Sequence, residues 1–485
     1  MTGSGGSRRG LVGALLASLL ALGGCATGAP PTLTPAAPRD TTGAEGAPSQ
    51  GGAPVRPPGP VPDPFVPAGD ELTDEDLQAF GARLTDALES GDVEHWLSYF
   101  ALDDEQTERQ RQWFTAVQAV PMEVREMHPT LWLGPDGAEV GADGEWSSEE
   151  RVRFGFRHQV SGADPVPSVE LYDVGLERSE DDGGLRINDL AGDPDQGDYP
   201  QLWDVGPVEV LESDHLVVLT DPEQRELVRE LLPSLDLAAA ETLSEVPVDG
   251  VDRMVVTLTS AERVATLFGE GEVNELAGFA MPVTGIREVG QYDGLADLDP
   301  TDDLTVRLVL DLEYTADELD NYGEDVAGGS PLLRHEGMHL AMLLRHLEAN
   351  PPKWVSEGFA GWFEVAAADE PAEDLEWWYG VLLKGAGLPT ELPPSLWLAF
   401  EGEGPMDIDR NYAASAMVFR YVEETYGYET TVALGDRLHQ IALWDDWDGA
   451  IDDALHEQLG TGSAEFVDGW TAWVADRYPD VGSGD

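Results

Sequence analysis

The chain has 485 residues, of which 42% are apolar and 25% are charged, a composition typical of globular protein. It has 94 acidic residues against 27 Lys and Arg, so its formal net charge is -67. A surface this acidic repels nucleic acid and anionic lipid headgroups. Neither is therefore expected to be a partner of the folded part. The length predicts two folded domains.

The first 25 residues have the pattern of an export signal. Arg8 and Arg9 precede an apolar run, residues 11–22, that is too short to span a bilayer. The run leads into Leu22-Gly23-Gly24-Cys25, which resembles a bacterial lipoprotein signal with its lipobox. The resemblance implies cleavage before Cys25, acylation of its thiol, and an extracytoplasmic protein attached to the bacterial cell membrane through lipid.

Two alternatives for this segment stay open. An ordinary secretory signal with an incidental cysteine competes with lipidation, although Cys25 is the only cysteine and stands where lipidation requires it. The Arg8-Arg9 pair fits both a twin-arginine signal and a plain basic region. Since no cysteine follows position 25, the exported part has no internal disulfide, and a metal site there must use His and carboxylate ligands.

Residues 26–69 are predicted to be a flexible tether between the anchor and the folded part. They contain 12 of the 34 prolines, mixed with Gly, Ala and Thr and with few large apolar residues. Such a segment cannot bury enough surface to offset the entropy lost on ordering.

Residues 70–200 are predicted to form a small accessory domain of helix and antiparallel strands. A helix begins at the N-cap pattern of Thr73, ends at Gly91 and repeats large apolar residues at helical spacing, namely Leu77, Phe80, Leu84 and Leu88. Alternation at Val152, Phe154 and Phe156, and at Val169 and Leu171, predicts half-buried strands. This order resembles the cone-shaped nuclear-transport-factor-2-like domain, and no chemistry is assigned to it.

Residues 201–480 are predicted to form a second α+β domain after a turn-rich break at residues 193–198. Strands are expected at residues 215–219, 254–258 and 304–312, with a helix around residues 227–232. From Pro331 onward the pattern is mainly helical, so strands come first and helices afterwards.

A helix from Pro331 to about residue 344, with Ser330 as N-cap, contains the pattern His-Glu-x-x-His. Residues four apart share a helix face, so His335 and His339 can present their imidazoles to one ion with Glu336 beside them. Zinc accepts nitrogen and oxygen ligands, and a catalytic site keeps one position for water. A third protein ligand is therefore expected.

That ligand is expected on a second helix, opened by Pro351-Pro352 and containing Trp354-Val355-Ser356-Glu357-Gly358. Since 17 residues lie between His339 and Glu357, the chain can finish one helix, turn and enter an antiparallel one. His-Glu-x-x-His followed at this distance by Trp-x-x-Glu-Gly-x-Ala resembles the gluzincin peptidases, in particular the peptidase MA-like branch.

The gluzincin resemblance implies that Glu357 is the third ligand of one zinc ion and that Glu336 activates the metal-bound water for attack on a peptide carbonyl. The chemistry agrees, because zinc brings its water to a pKa near 7, where a neighbouring carboxylate can take the proton. The gluzincin resemblance also implies that Tyr412 reaches the site from a later helix, residues 411–422, and donates a hydrogen bond to the developing oxyanion. A tyrosine packed at a helix start explains Tyr412 equally well.

Three further residues lie near the motifs. Glu364 is seven residues beyond Glu357, and two interpretations of it stay open: it orients a metal ligand through a hydrogen bond, or it is a solvated helix carboxylate. His346 is interpreted as structural. Gly337 costs about 1 kcal/mol relative to Ala inside a helix, which close helix packing would explain.

Two departures from the family limit which activity the resemblance implies. The Gly-x-Met-Glu-Asn motif with which gluzincin aminopeptidases hold a free amino terminus is absent, and its nearest equivalent, residues 278–282, lacks the Glu. The spacing to Glu357 is also one residue shorter than in those enzymes. Endopeptidase action is therefore expected rather than aminopeptidase action.

Three functions compete on the sequence alone. The first is hydrolysis of a peptide or protein substrate by a lipid-anchored zinc peptidase. The second is a binding or scaffold lipoprotein that retains a gluzincin fold without turnover, against which the intact Glu336 counts. The third, a solute-binding lipoprotein, rests on the anchor alone and leaves both motifs unexplained.

Overall fold

The computed structural model describes residues 63–69, 72–133, 151–191, 201–268, 276–284, 304–322, 329–347, 349–366, 380–384, 387–396, 407–442, 446–479 and 481. Residues 1–25 with Cys25, most of the 26–69 tether and the break at residues 193–198 lie outside this part of the chain. Among the helices that are described, none has the length and apolarity needed to cross a membrane.

The described chain is a mixed α+β protein, as the sequence predicts: an antiparallel sheet, then a mixed sheet, then helices. The elements, in chain order, are α1 Asp74–Ser90, α2 Val93–Leu97, α3 Asp104–Ala119, β1 Met122–Leu133, β2 Arg151–Val160, β3 Ser168–Arg178, β4 Leu185–Ala191, α4 Leu202–Val205, β5 Glu209–Glu212, β6 Leu216–Thr220, α5 Arg225–Glu245, β7 Met254–Thr259, α6 Ala261–Phe268, β8 Gly278–Thr284, β9 Leu304–Asp311, α7 Leu312–Tyr322, α8 Pro331–Arg345, α9 Lys353–Ala366, α10 Asp407–Tyr426, α11 Tyr428–His439, α12 Trp447–Leu459 and α13 Ser463–Arg477.

The N-terminal part packs helices on a four-stranded sheet of order β1-β2-β3-β4. Helix α1 begins as predicted, because the Thr73 hydroxyl accepts a hydrogen bond from the Asp76 N–H and the Asp76 carboxylate accepts one from the Thr73 N–H. It ends at Gly91, whose φ of 68° is in the left-handed region that glycine favours. The apolar residues predicted at helical spacing are all buried.

Strand β3 corrects one expectation. The sequence pointed to Val169 and Leu171 as its apolar side, but these two are only partly buried, and the buried side includes Ser168, Glu170 and Tyr172. The alternating apolar pattern predicted the strand correctly but assigned the wrong side of it to the interior. The reason is that hydrogen-bond partners from neighbouring elements satisfy the inward polar groups, so their burial is tolerated.

These inward groups form a cluster around two carboxylates. Glu170 Oε1 lies 2.8 Å from His158 Nε2, and Glu170 Oε2 lies 2.7 Å from the Tyr172 hydroxyl. The same hydroxyl lies 2.7 Å from Asp204 Oδ1. Because a phenol has one proton, it donates to only one of the two carboxylates, and the other must carry a proton of its own. Burial and the nearby charge of Glu170 raise the pKa of Asp204 well above its usual range, which points to Asp204 as the protonated group.

Replacing Asp204 with asparagine is expected to stabilise the protein at neutral and alkaline pH. The folded protein keeps the Asp204 proton where the unfolded chain, with an ordinary pKa near 3.8, has released it, so stability falls as the pH rises above about 4. Asparagine replaces the acidic O–H with an amide N–H donor and takes up no proton on folding. Thermal unfolding between pH 4 and pH 8 should show a gain of about 1–3 kcal/mol at pH 8 that shrinks toward pH 4.

The matched control for this change is Asp181→Asn, at an exposed aspartate in the turn between β3 and β4. It should leave the pH dependence of stability as it is in the wild type. If Asp204→Asn also kept the wild-type profile, the proton would be misassigned.

The second sheet has five strands in the order β5-β6-β7-β9-β8. Strands β6, β7 and β9 are parallel, while β5 and β8 pair antiparallel at the two sides. The strands predicted at residues 215–219, 254–258 and 304–312 are confirmed to within a residue. The helix predicted around residues 227–232 is the beginning of α5, which is 21 residues long and passes through Pro233.

The second sheet is buried on both faces. One face, with Leu216, Val218 and Val256, packs against α5 and α8. The opposite face contributes Val217 and Val255 to the hydrophobic core of the N-terminal part. The two parts of the chain therefore share a core.

A buried ion pair joins the two parts. Asp164, in the turn after β2, accepts hydrogen bonds from Arg307 Nη2 at 2.7 Å and Thr305 Oγ1 at 2.9 Å, both on β9. It also accepts the Val160 N–H at 2.6 Å. Burial alone would raise the pKa of Asp164, but Arg307 outweighs it and the pKa is lowered, so the carboxylate is ionised. Both side chains are almost fully excluded from solvent.

Candidate metal centre

Three donor atoms converge between α8 and α9. The Nε2 atoms of His335 and His339 lie 3.2 Å apart, and Glu357 Oε2 lies 3.4 Å from the first and 3.5 Å from the second. Two ligands bound to a tetrahedral zinc ion at about 2.0–2.1 Å lie about 3.3–3.4 Å from each other. The three atoms therefore have the spacing of three corners of a zinc tetrahedron. In the described part of the chain, this is the one group of three such donors within 4.8 Å of one another.

The outer ring nitrogens of both histidines have partners of their own. His335 Nδ1 lies 3.2 Å from Glu364 Oε2, and His339 Nδ1 lies 3.2 Å from Ser356 Oγ. An ionised carboxylate only accepts, so the hydrogen-bond network assigns the His335 proton to Nδ1, and the Ser356 hydroxyl fits the same tautomer in His339. The two Nε2 lone pairs then face each other and the Glu357 carboxylate, an arrangement that a cation stabilises.

The protonation states also suit a metal. Burial opposes ionisation of Glu357, but the charge of Lys353 outweighs it and holds the pKa of Glu357 well below its usual value. Burial lowers the pKa of His339. An ionised carboxylate and a neutral imidazole are the forms that bind a metal ion.

Glu336 lies beside the triad on α8, fully buried. Strand β8 passes next to it: an ideal Cβ on Gly278 would lie 3.2 Å from Glu336 Cγ and 2.6 Å from Leu310 Cδ2. Any larger residue at Gly278 would therefore collide with its neighbours. Residues 278–282, the nearest equivalent of the aminopeptidase motif, lie on this strand beside the metal helix, with Phe279 and Met281 buried in a small apolar core.

The metal helix α8 is anchored at its N-terminus. Ser330 is the N-cap, as predicted, because its hydroxyl accepts the Leu333 N–H. The same hydroxyl donates to Glu318 Oε2 at 2.9 Å, and Glu318 Oε1 accepts the Leu332 N–H at 3.0 Å. Burial raises the pKa of Glu318 to about 8, so this carboxyl is mostly protonated at neutral pH.

Gly337 allows α8 to lie close to its neighbours. A Cβ at this position would come within 3.2 Å of Met254 Cε and 3.3 Å of Thr242 Cγ2, both tighter than ordinary contact. Close packing on α5 and β7 thus explains a glycine in the middle of the metal helix.

Tyr412 is half-buried within α10, which begins at Asp407, so it does not stand at a helix start. Helix α10 crosses α9 immediately after Glu357, since the Ser415 carbonyl oxygen would lie 2.6 Å from a Cβ on Gly358. One turn of α10 separates Tyr412 from this crossing. Its role as an oxyanion donor stays a prediction.

Of the neighbouring residues considered from sequence, Glu364 contacts a predicted ligand and His346 does not. His346 pairs with Asp436 at 3.0 Å at the end of α8, in agreement with a structural role. Sequence reasoning missed Ser356, Lys353 and Glu318. The i,i+4 spacing of Lys353 and Glu357 was a usable signal for that pair, whereas the other two contacts depend on how separate helices pack.

The larger cavity nearby is not the metal site. It has a volume of about 540 Å³ and lies between the turn at Pro165 and the C-terminal end of α8. Among its lining side chains, Asp436 pairs with Arg345 at 2.8 Å and with His346 at 3.0 Å. It contains none of the three candidate ligands.

Comparison with known proteins does not classify the chain. A scan against protein-family models gives no match, and a search of curated proteins gives none either. The residues of the site therefore carry the functional argument.

Proposed function

We propose that this chain is a lipid-anchored, extracytoplasmic zinc metallopeptidase of the gluzincin type, with His335, His339 and Glu357 as ligands and Glu336 as general base. The observation that carries the proposal is the triangle of Nε2, Nε2 and Oε2 atoms at zinc spacing, with a second buried carboxylate next to it on α8. Zinc bound there would polarise the scissile carbonyl and acidify the attacking water.

Glu336 provides the proton transfers that peptide hydrolysis requires. Its carboxylate accepts a proton from the attacking water and delivers it to the leaving amine nitrogen, so the same group acts as base and then as acid. A site that served only to hold the fold together would need no such group. Tyr412 would donate its hydroxyl proton toward the oxyanion.

Strand β8 offers a place for an extended peptide. Among the described strands only β9 pairs with it, and a substrate strand that bound along its other side would form main-chain hydrogen bonds there. Because a Cβ added to Gly278 would lie 3.2 Å from Glu336 Cγ, a peptide along β8 would bring its backbone past the general base. The absence of a carboxylate from residues 278–282 favours an endopeptidase over an aminopeptidase.

We also propose a more specific fold for each of the two parts of the chain. A sheet is followed by helices α8 and α9, which contain the two motifs and pack against each other. This order supports a gluzincin-type catalytic domain. Three helices and a four-stranded antiparallel sheet support a nuclear-transport-factor-2-like accessory domain. The lipobox at Cys25 supports attachment to the outer face of the cytoplasmic membrane.

The test is Glu336→Gln, with zinc content measured by elemental mass spectrometry and hydrolysis measured on a broad peptide library. We expect one zinc ion per chain in both proteins and a loss of about 10²–10⁴-fold in turnover in the variant. The matched control is Glu313→Gln, at an exposed glutamate of α7, which should retain full turnover.

Other outcomes decide against the proposal. A wild-type protein that binds zinc fully and hydrolyses no peptide would be a binding or scaffold lipoprotein. A wild-type protein that binds no metal would remove every zinc-based function.

A further inference from the structure

A lysine is buried against the proposed metal ligand Glu357. Lys353 Nζ lies 2.5 Å from Glu357 Oε1, and the lysine side chain is only 3% exposed. Its backbone N–H is held by the Ser395 carbonyl at 2.8 Å. The two oxygens of Glu357 therefore face different groups: Oε1 faces the Lys353 ammonium, and Oε2 faces the two imidazoles.

Lys353 occupies this place against three general trends. A buried ammonium loses its hydration, which costs several kcal/mol unless the pair is very well formed. A cation in the first turn of a helix is opposed by the helix dipole. A Lys that precedes Glu by four residues is also the weaker order of an intrahelical pair. A lysine that served helix stability alone would not be placed here.

We propose that Lys353 is a positioning residue that makes Glu357 a one-oxygen ligand. By holding Oε1, the ammonium leaves Oε2 alone to face His335 and His339. Three protein donors then define three corners of the tetrahedron and the fourth stays open, as a catalytic zinc site requires. The inference rests on the metal centre of the proposed function and is independent of whether peptides are hydrolysed.

Without Lys353, Oε1 can turn toward the ion and occupy the open corner. Without the contact to Lys353, the Glu357 carboxylate would also lose conformational freedom each time a metal ion bound, which would weaken binding. Removing a partner that orients a metal ligand typically lowers metal affinity by about 10–100-fold.

The experiment uses the full-length protein and its Lys353→Met and Lys353→Arg variants. Zinc affinity is measured by competition with a coloured chelator, and ligand number is followed by the visible absorption of the cobalt-substituted proteins. For Lys353→Met we expect a loss of about 10–100-fold in zinc affinity and a weaker cobalt band, the mark of a higher coordination number. Lys353→Arg keeps the charge and should retain most of the wild-type affinity and band.

A control separates positioning from general damage. Arg420→Met removes a comparable intrahelical cation, which pairs with Glu423 at 2.7 Å on α10. It should leave the zinc affinity and the cobalt spectrum unchanged, and thermal unfolding of each variant shows that it is folded.

The possible results of these measurements distinguish the positioning role of Lys353 from the proposed peptidase activity. Wild-type affinity and an unaltered cobalt band in Lys353→Met would overturn the positioning role while leaving the metal centre intact. A metal-loaded wild type without peptide hydrolysis would remove the peptidase alone. Absence of metal from the wild type would overturn both.

Discussion

Replacing Asp164 with alanine is expected to lower the free energy of unfolding by about 3–5 kcal/mol, because the change leaves Arg307 charged and unpaired in the interior. The effect should be large because Asp164 also accepts the Val160 N–H and the Thr305 hydroxyl, so three donors lose their acceptor at once. Urea unfolding followed by tryptophan fluorescence measures the loss directly.

The control for Asp164→Ala is Asp173→Ala. Asp173 pairs with Arg153 at 2.6 Å, but both side chains are more than a quarter exposed, so water replaces the lost interaction. A cost of at most about 1 kcal/mol is expected there. Equal costs for the two substitutions would contradict the prediction that loss of Asp164 leaves a costly unpaired charge in the interior.

Replacing Glu357 with alanine is expected to have two separable effects. Metal affinity should fall by more than about 100-fold, since a ligand is lost and not merely its support. The metal-free protein should also lose about 3–5 kcal/mol of stability, because Lys353 is left buried without its carboxylate.

The double variant Glu357→Ala with Lys353→Met separates the two effects. Removing both charges from a buried pair is often neutral or stabilising, so the double variant should regain most of the lost stability. It should not regain metal binding. Chelator competition and thermal unfolding of the metal-free proteins measure the two quantities, and a double variant as unstable as Glu357→Ala would contradict the pairing.

The local elements were predictable because their signals are local. The caps at Thr73 and Ser330, the apolar period of α1 and the central strands of the second sheet follow from propensity, turn chemistry and alternation, which act over a few residues. The convergence of His335, His339 and Glu357 was predictable for the same reason, since helix geometry and one short connection fix it.

The remaining features depend on contacts between distant segments. Asp164 and Arg307 lie 143 residues apart, and no local pattern relates them. The inward polar face of β3 depends on Asp204, from an element outside its sheet. Ser356 and Lys353 lie beside the candidate ligands His339 and Glu357, and the two sequence motifs identify only the ligands themselves.

The five-stranded sheet has a consequence for how the protein is made. Since Val217 and Val255 pack into the hydrophobic core of the N-terminal part, a fragment that began near residue 201 would expose part of this apolar sheet face to water. We therefore expect the two parts to unfold in a single transition, which thermal unfolding followed by tryptophan fluorescence would measure. The N-terminal part leaves the ribosome first, so its apolar core is available to cover this sheet face when the second sheet is completed.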